Sequence, residues 1–175
     1  ELDKDRVCET GDVELSIVTT ETYDADKVVA TANGTPITLT NGKYKSTITA
    51  DTEYSVEISG EQSTATPQTI SATVDHPLNF TASADKDFVC KGSNVEFTLT
   101  GESTGIVWYS STNGTDFDPF TMPSTLKWTS DTTRYLYASS PVNGACNQAV
   151  SETLKVEVER PFSEFDLNWI KPKHD

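Results

Sequence analysis

The sequence has few of the residue types that most often carry catalysis. Among its 175 residues are two histidines (His76 and His174), three cysteines and one methionine. General acid–base and nucleophilic catalysis both need a base held within hydrogen-bond distance of the reacting group, and histidine most often supplies it. The predicted strands of this chain contain neither histidine. We therefore expect no enzymatic activity.

Positive charge and long apolar segments are also scarce. The chain carries 27 acidic residues against 13 lysines and arginines, which gives a net charge of −14. Such a surface repels the phosphates of nucleic acids and anionic membranes. No apolar run approaches the ~20 residues that a membrane-spanning helix requires. These absences predict no nucleic-acid partner, no membrane insertion and a soluble, acidic protein.

The sequence contains an internal repeat. Segments of similar sequence return in the same order at a nearly constant offset, pairing Cys8 with Cys90, Asn33 with Asn113, Tyr54 with Tyr135 and Pro77 with Pro161. Similarity at a fixed period indicates repeated structural units. We predict two domains, residues 1–77 and 78–161, with residues 162–175 as a tail or the start of a further domain.

Apolar residues alternate with polar ones over most of both copies, as in Val13-Glu14-Leu15 and Val95-Glu96-Phe97. Alternation with a period of two predicts strands that bury one face. The predicted strands are 12–19, 27–31, 36–39, 43–49, 52–59, 67–75, 79–84, 94–100, 105–111, 125–129, 132–139 and 148–158. Asn-Gly turns between them favour two tandem Ig-like antiparallel β-sandwiches, and a small barrel is the alternative.

The second copy resembles a known class of module between residues 80 and 160. The similarity lies in Val89-Cys90-Lys91-Gly92 before a strand, in Val107-Trp108-Tyr109 followed by Asn113-Gly114-Thr115, and in Cys146 before the final strand. These segments resemble the Ig-like repeats of secreted and cell-surface proteins of Bacteroidetes. The resemblance implies a sandwich fold, export to the cell surface and a place in a long multidomain chain, as a stalk or adhesion unit.

The three cysteines admit more than one arrangement. In the second copy Cys90 precedes one strand and Cys146 precedes the last, so the pair is expected to close a disulfide, with two free thiols as the alternative. The position equivalent to Cys146 in the first copy holds no cysteine. Cys8 is therefore expected to be a free, structurally inert thiol, unless it pairs with another chain. A disulfide would place the protein in an oxidising compartment.

Two loops hold carboxylates two residues apart, at Asp24 and Asp26 and at Asp116 and Asp118. Calcium prefers several such oxygen ligands, so both pairs are candidate calcium sites. Solvated turns are the alternative. Residues Ser110 to Phe117 also resemble an Asp-box hairpin, which implies a stabilised turn.

Aromatic residues cluster in the second copy. Trp108 is expected to fill the core. Tyr109, Phe117 and Phe120 form a candidate ligand surface of the kind that stacks on sugar rings, although strand alternation exposes only part of such a set.

The sequence therefore predicts a non-enzymatic spacer or adhesion module that is secreted or lies outside the bacterial outer membrane. Its expected partners are other domains of the parent chain and surface glycans or proteins. The alternative function is a glycan- or calcium-binding accessory module of a larger secreted enzyme.

Overall fold

The computed structural model describes residues 1–20, 22–59 and 66–159, and the chain divides into two compact units. The first unit contains Glu1–Pro77 together with Val142–Asn147. The second contains Leu78–Pro141 and the described residues from Gln148 onward. In the described ranges the regular secondary structure consists of strands, with one turn of 3₁₀ helix at Ala25–Lys27. The predicted all-β sandwich class is confirmed, whereas the predicted tail at 162–175 lies outside the described residues.

The described residues of the first unit form seven strands in two sheets. They are β1 (Arg6–Cys8), β2 (Gly11–Ser16), β3 (Val28–Ala32), β4 (Thr35–Ile37), β5 (Lys43–Ile48), β6 (Thr52–Ile58) and β7 (Gln68–Asp75). One sheet has the order β1-β7-β6-β3-β4, and the other pairs β2 with β5. The β1–β7 pair is parallel and the other pairs are antiparallel.

The second unit follows the same plan with one additional strand. Its strands are β8 (Phe80–Ala84), β9 (Phe88–Cys90), β10 (Asn94–Gly101), β11 (Val107–Ser111), β12 (Asp118–Phe120), β13 (Lys127–Thr129), β14 (Arg134–Ser139) and β15 (Leu154–Glu159). The larger sheet has the order β12-β11-β14-β15-β9, and the smaller has the order β13-β10-β8. Strand β9 runs parallel to β15, as β1 does to β7.

Each unit buries its own apolar core, to which both of its sheets contribute. The core of the first unit consists of Val7, Val13, Leu15, Ile48, Tyr54, Ala72 and Val74. The core of the second consists of Phe80, Val89, Val95, Phe97, Trp108, Trp128, Leu136, Ala138 and Val156. Trp108 is 4% exposed, so its predicted place in the core is confirmed.

The strand boundaries depart from the predicted ones where the alternation is interrupted. The short strands β1, β9 and β12 were not predicted, because three residues are too few to establish a period of two. The predicted strand 148–158 is wrong in its first part. Strand β15 begins only at Leu154, and the preceding segment forms an isolated bridge between Ser139 and Val150.

No helix in the described parts of the chain has the length and apolar character needed to cross a membrane.

Candidate functional site

The disulfide joins Cys8 to Cys146, and Cys90 is a free, exposed thiol. The predicted pair Cys90–Cys146 and the predicted free thiol at Cys8 are therefore wrong. The Cα atoms of Cys8 and Cys146 lie 4.8 Å apart, at a sequence separation of 138 residues. Cys146 is 1% exposed and belongs to the first unit, although the flanking strands β14 and β15 belong to the second.

Strand alternation explains why Cys90 does not pair within its own sandwich. In β9, Val89 is buried in the core while the two residues beside it are exposed. Since successive side chains point to opposite faces of a strand, Cys90 points away from the core. Cys8 has the same relation to the buried Val7 in β1. Each cysteine therefore lies on the outer face of its sheet, and only Cys8 meets a second cysteine there.

Polar contacts hold the segment Val142–Asn147 to the end of β7. The buried carboxylate of Asp75 accepts a hydrogen bond from the Ala145 amide at 2.7 Å and forms an ion pair with the Arg6 guanidinium, whose Nε lies 2.9 Å from Oδ2. The Asn143 side chain donates to the His76 carbonyl at 2.9 Å. These contacts and the disulfide hold the segment Val142–Asn147 in the first unit.

Gly144 permits the close approach of this segment to Asp75. Its φ is +57°, and a Cβ atom placed on it would lie 2.1 Å from Asp75 Oδ2. Glycine tolerates positive φ and has no Cβ. A larger residue at this position would force the segment away from the carboxylate.

The electrostatic environment stabilises the charged form of Asp75. The hydrogen bond from Arg6 is the main cause of a pKa below the usual range for this carboxyl group, and the Ala145 amide lowers the pKa further. Burial acts in the opposite direction but does not outweigh these contacts. Asp75 therefore stays ionised at neutral pH and continues to hold the segment.

The two predicted calcium loops are organised as turns. Asp24 caps the 3₁₀ helix, with its Oδ1 accepting the Asp26 amide at 3.1 Å. Asp116 Oδ2 accepts the side-chain amide of Asn113 at 2.7 Å, and Asn113 Oδ1 accepts the amide of Asp116 at 3.0 Å. Asp118 is exposed at the start of β12.

Among the described residues, no group of three or more His, Cys, Asp or Glu side chains is placed to hold a metal ion. Calcium binding at these loops stays a prediction. The hydrogen bonds around Asn113 form a stabilised turn of the kind that the Asp-box resemblance implies.

A half-buried aromatic cluster lies on the outer face of the larger sheet of the second unit. Tyr109 and Tyr137 occupy directly opposite positions in β11 and β14, and their rings stack at 5.1 Å with an interplanar angle of 14°. The ring of Phe117 lies 5.0 Å from that of Tyr137. We call these three residues the aromatic face.

Phe120 does not belong to the aromatic face. It lies opposite Trp108 in the β11–β12 pair and packs against the core of the second unit, with the Arg134 guanidinium 5.5 Å from its ring centroid. The structure therefore brings Tyr109 and Phe117 to one face and places Phe120 apart from them, and ligand binding at this surface stays a prediction. Tyr137 was missed, because only the pairing of β11 with β14 places it beside Tyr109.

The sequence matches no protein-family model and no curated protein. Among solved structures it is similar to a Ca²⁺-stabilised adhesin with which an Antarctic bacterium reaches out and binds ice, at 17% identity and a TM-score of 0.36, covering 90% of this chain and 47% of that chain. It is also similar to a 1.5-MDa bacterial ice-binding adhesin, at 19% identity and a TM-score of 0.40, covering 92% of this chain and 64% of that chain.

A third similar structure is murine CEACAM1b, at 13% identity and a TM-score of 0.44, covering 89% of this chain and 96% of that chain. The chain thus spans less than two thirds of the two adhesin chains. Since all three TM-scores are below 0.5, the assignment of an Ig-like sandwich depends on the strand orders and cores described above.

Proposed function

We propose that the chain is a non-enzymatic spacer or adhesion module that carries mechanical tension in an extracellular or cell-surface protein. The observation that carries this proposal is the disulfide between Cys8 and Cys146. It closes a covalent loop with a sequence separation of 138 residues, and this loop contains strands β2 to β14 of the two units.

A force applied between the chain ends passes through this disulfide. The residues between Cys8 and Cys146 lie outside the shortest covalent path, so they bear no direct tension while the bond is intact. Only the residues before Cys8 and after Cys146 can be drawn out. A spacer built this way limits its extension to these residues at loads that break non-covalent contacts.

The disulfide also favours an oxidising location. Disulfides persist in secreted and surface proteins and are rare in reducing cytosol. A bond that encloses so long a loop removes a large part of the freedom of the unfolded chain, about 5 kcal/mol in the loop-entropy model. The acidic surface, at a net charge of −14, suits a soluble exposed protein.

Single-molecule pulling between the two termini tests this function. In the oxidised chain we expect no extension step from the residues between Cys8 and Cys146. After reduction, the separation of 138 residues adds roughly 450–500 Å of contour length at ~3.3–3.6 Å per residue.

Cys8→Ser is expected to show the long extension without reductant, and Cys90→Ser serves as the matched control because Cys90 is free. Full-length extension of the oxidised wild-type chain would contradict the proposal.

The aromatic face favours a second candidate function, glycan binding. Exposed aromatic rings offer apolar faces on which sugar rings can stack, and Tyr109, Tyr137 and Phe117 are all only half-buried. A glycan array probed with the wild-type chain, Tyr137→Ala and the control Tyr44→Ala in the first unit tests it. Signals lost only in Tyr137→Ala support glycan binding, and an array without signals contradicts it.

A further inference from the structure

Cys8 and Asp75 lie side by side on the outer face of a sheet in the first unit. They occupy directly opposite positions in the parallel β1–β7 pair, and the residues before them, Val7 and Val74, are buried in the core. Because side chains alternate along a strand, Cys8 and Asp75 point to the same outer face. Arg6, two positions before Cys8, shares this face and pairs with Asp75. The ion pair therefore lies beside the disulfide without including a sulfur atom.

Four hydrogen bonds position the backbone of Cys146 independently of its sulfur atom. The amide of Ala145, the residue before Cys146, donates to Asp75 Oδ2 at 2.7 Å. The Asn143 side chain donates to the His76 carbonyl at 2.9 Å. Within the segment, the Cys146 amide donates to the Asn143 carbonyl at 2.9 Å, and the Asn143 amide donates to the Cys146 carbonyl at 3.3 Å. Cys146 is therefore held in the first unit by contacts that contain no sulfur.

The equivalent cysteine of the second unit lacks these supports. Cys90 lies opposite Glu159 in the β9–β15 pair, which is the arrangement of Cys8 and Asp75 in the first unit. The Glu159 side chain is exposed, however, and Phe88, which is 50% exposed, stands where β1 has an arginine. The described residues thus provide an anchor for a cysteine-bearing segment beside Cys8 and not beside Cys90.

The two cysteines of the disulfide differ in exposure. Cys8 is half-buried, whereas Cys146 is 1% exposed. Thiol–disulfide exchange requires access of the attacking group to a sulfur atom. A small thiol or disulfide from solution therefore reaches Cys8 first, and Cys146 reacts from inside the site.

We propose that Arg6, Asp75 and the segment Val142–Asn147 form a redox latch, which keeps Cys146 beside Cys8 when the disulfide is reduced and directs its re-formation there. The hydrogen bond from Ala145 to Asp75 acts one residue from Cys146, so it limits how far the thiol moves. The two freed thiols are thus held at high effective concentration, which favours the bond between them over any other pairing. The disulfide is a closure that opens under reducing conditions and closes again at the same place.

The re-closing step needs a small disulfide, such as oxidised glutathione, as the oxidant. The Cys8 thiolate attacks one of its sulfur atoms, which forms a mixed disulfide and releases one glutathione thiolate. The Cys146 thiolate then attacks the Cys8 sulfur, which forms the Cys8–Cys146 bond and releases the second glutathione thiolate. Two electrons pass from the cysteines to oxidised glutathione, and the two thiol protons go to the released thiolates.

Equilibration of the folded chain in glutathione buffers of graded redox ratio tests the latch. Blocking the free thiols and mapping the disulfides by mass spectrometry gives the equilibrium constant of the Cys8–Cys146 bond. Gly144→Ala places a Cβ atom against the Asp75 carboxylate at a position of positive φ, so the segment must move away. We expect the equilibrium constant to fall roughly tenfold or more, because a hydrogen bond to a charged group is weakened.

Gly34→Ala is the matched control for this variant. Gly34 also has a positive φ in the first unit, but a Cβ atom added there meets no other group within 4 Å. The control therefore carries the same kind of backbone strain without disturbing the latch. Its equilibrium constant is expected to equal that of the wild type.

Hydrogen exchange provides a second readout that needs no disulfide. In the double variant Cys8→Ser/Cys146→Ser, protection of the Ala145 amide comes from the latch alone. We expect this amide to stay protected, and Asp75→Ala in the same background to speed its exchange roughly tenfold or more. Protection of the buried Val13 reports whether the first unit is folded. Both measurements are made without load, so their outcome is separate from that of the pulling experiment.

Three results would overturn the proposal. One is an equilibrium constant for Gly144→Ala that equals those of Gly34→Ala and the wild type. Another is an Ala145 amide that exchanges as in an unstructured peptide in the double variant while Val13 stays protected, because the disulfide alone would then hold the segment. The third is loss of protection at both amides, because the latch requires a folded first unit in the reduced chain.

Discussion

The two units share one strand order but fill their cores differently. In the second unit Trp108 of β11 and Trp128 of β13 supply most of the volume, together with Leu136 of β14. At the equivalent positions the first unit has Ala30, Ser46 and Tyr54, as the registers of the paired strands show. Tyr54 is fully buried, and its hydroxyl lies 2.9 Å from Ser46 Oγ.

This difference shows that the same strand order accommodates cores of different size, with the large side chain at different positions. One buried tyrosine with a polar partner replaces two tryptophans around a leucine. A buried hydroxyl needs such a partner, because an unsatisfied one is costly. The first unit therefore depends on one hydrogen bond and one disulfide, where the second depends on aromatic packing.

The largest expected effect is the loss of aromatic packing in the second unit. Trp108→Ala is expected to lower its free energy of unfolding by about 3–5 kcal/mol, through lost burial and the cavity left behind. Denaturant unfolding followed by the fluorescence of Trp128, which lies in the same unit, measures this loss. Hydrogen exchange in the first unit should be unchanged; an equal loss in both units would contradict separate cores.

The disulfide is the corresponding support of the first unit. Cys8→Ser is expected to destabilise that unit by about 2–5 kcal/mol, because the unfolded chain regains the freedom of the long loop. Exchange of the buried Val13 and Ala72 amides measures the change. Cys90→Ser, at the equivalent position of the second unit, should leave stability unchanged. A similar loss of stability in both variants would contradict a stabilising role of the disulfide.

The hydroxyl of Tyr54 has a smaller expected effect. Tyr54→Phe keeps the ring but leaves Ser46 without this partner, so the first unit should lose about 1 kcal/mol. Tyr135→Phe is the matched control, since Tyr135 is only half-buried on the outer face of its sheet. Thermal unfolding of both variants provides the measurement, and no difference between them would show that the hydrogen bond contributes nothing.

The smallest expected effect is a pH dependence confined to the first unit. The pKa of Asp75 is lowered in the folded chain, chiefly by Arg6, so its contribution is full above the ordinary aspartate value of about 3.9. It is lost as the pH falls through the lowered pKa. The melting temperature of wild type should therefore fall more than that of Asp75→Asn below about pH 4. Parallel curves would contradict this role.

The sequence predicted the features that depend on local pattern. Alternation in Val13–Leu15 and Val95–Phe97 indicated strands with one buried face, and the repeat indicated two sandwiches. The alignment of Tyr54 with Tyr135 was wrong by one position, since strand register pairs Tyr54 with Leu136 instead. The similarity at Asp51 and Asp131 aligns Tyr54 with Tyr135 and does not show the shift of one residue. Such a shift moves a side chain to the opposite face of its strand.

The disulfide could not be predicted, because it depends on which unit the segment Val142–Asn147 joins. In sequence this segment lies between β14 and β15 of the second unit, whereas its contacts with Asp75 and His76 belong to the first. Gly144 was the sequence feature that pointed to a close contact of this segment, but a glycine in a loop has many explanations. Tyr137 was likewise hidden, since strand pairing alone brings it to Tyr109.

Peptide mapping by mass spectrometry under non-reducing conditions, after blocking free thiols, tests the central claim most directly. The account predicts a cross-linked peptide pair containing Cys8 and Cys146, with the blocking group on Cys90. A peptide pair containing Cys90 and Cys146, with the blocking group on Cys8, would contradict the covalent loop and the tension-bearing function proposed from it.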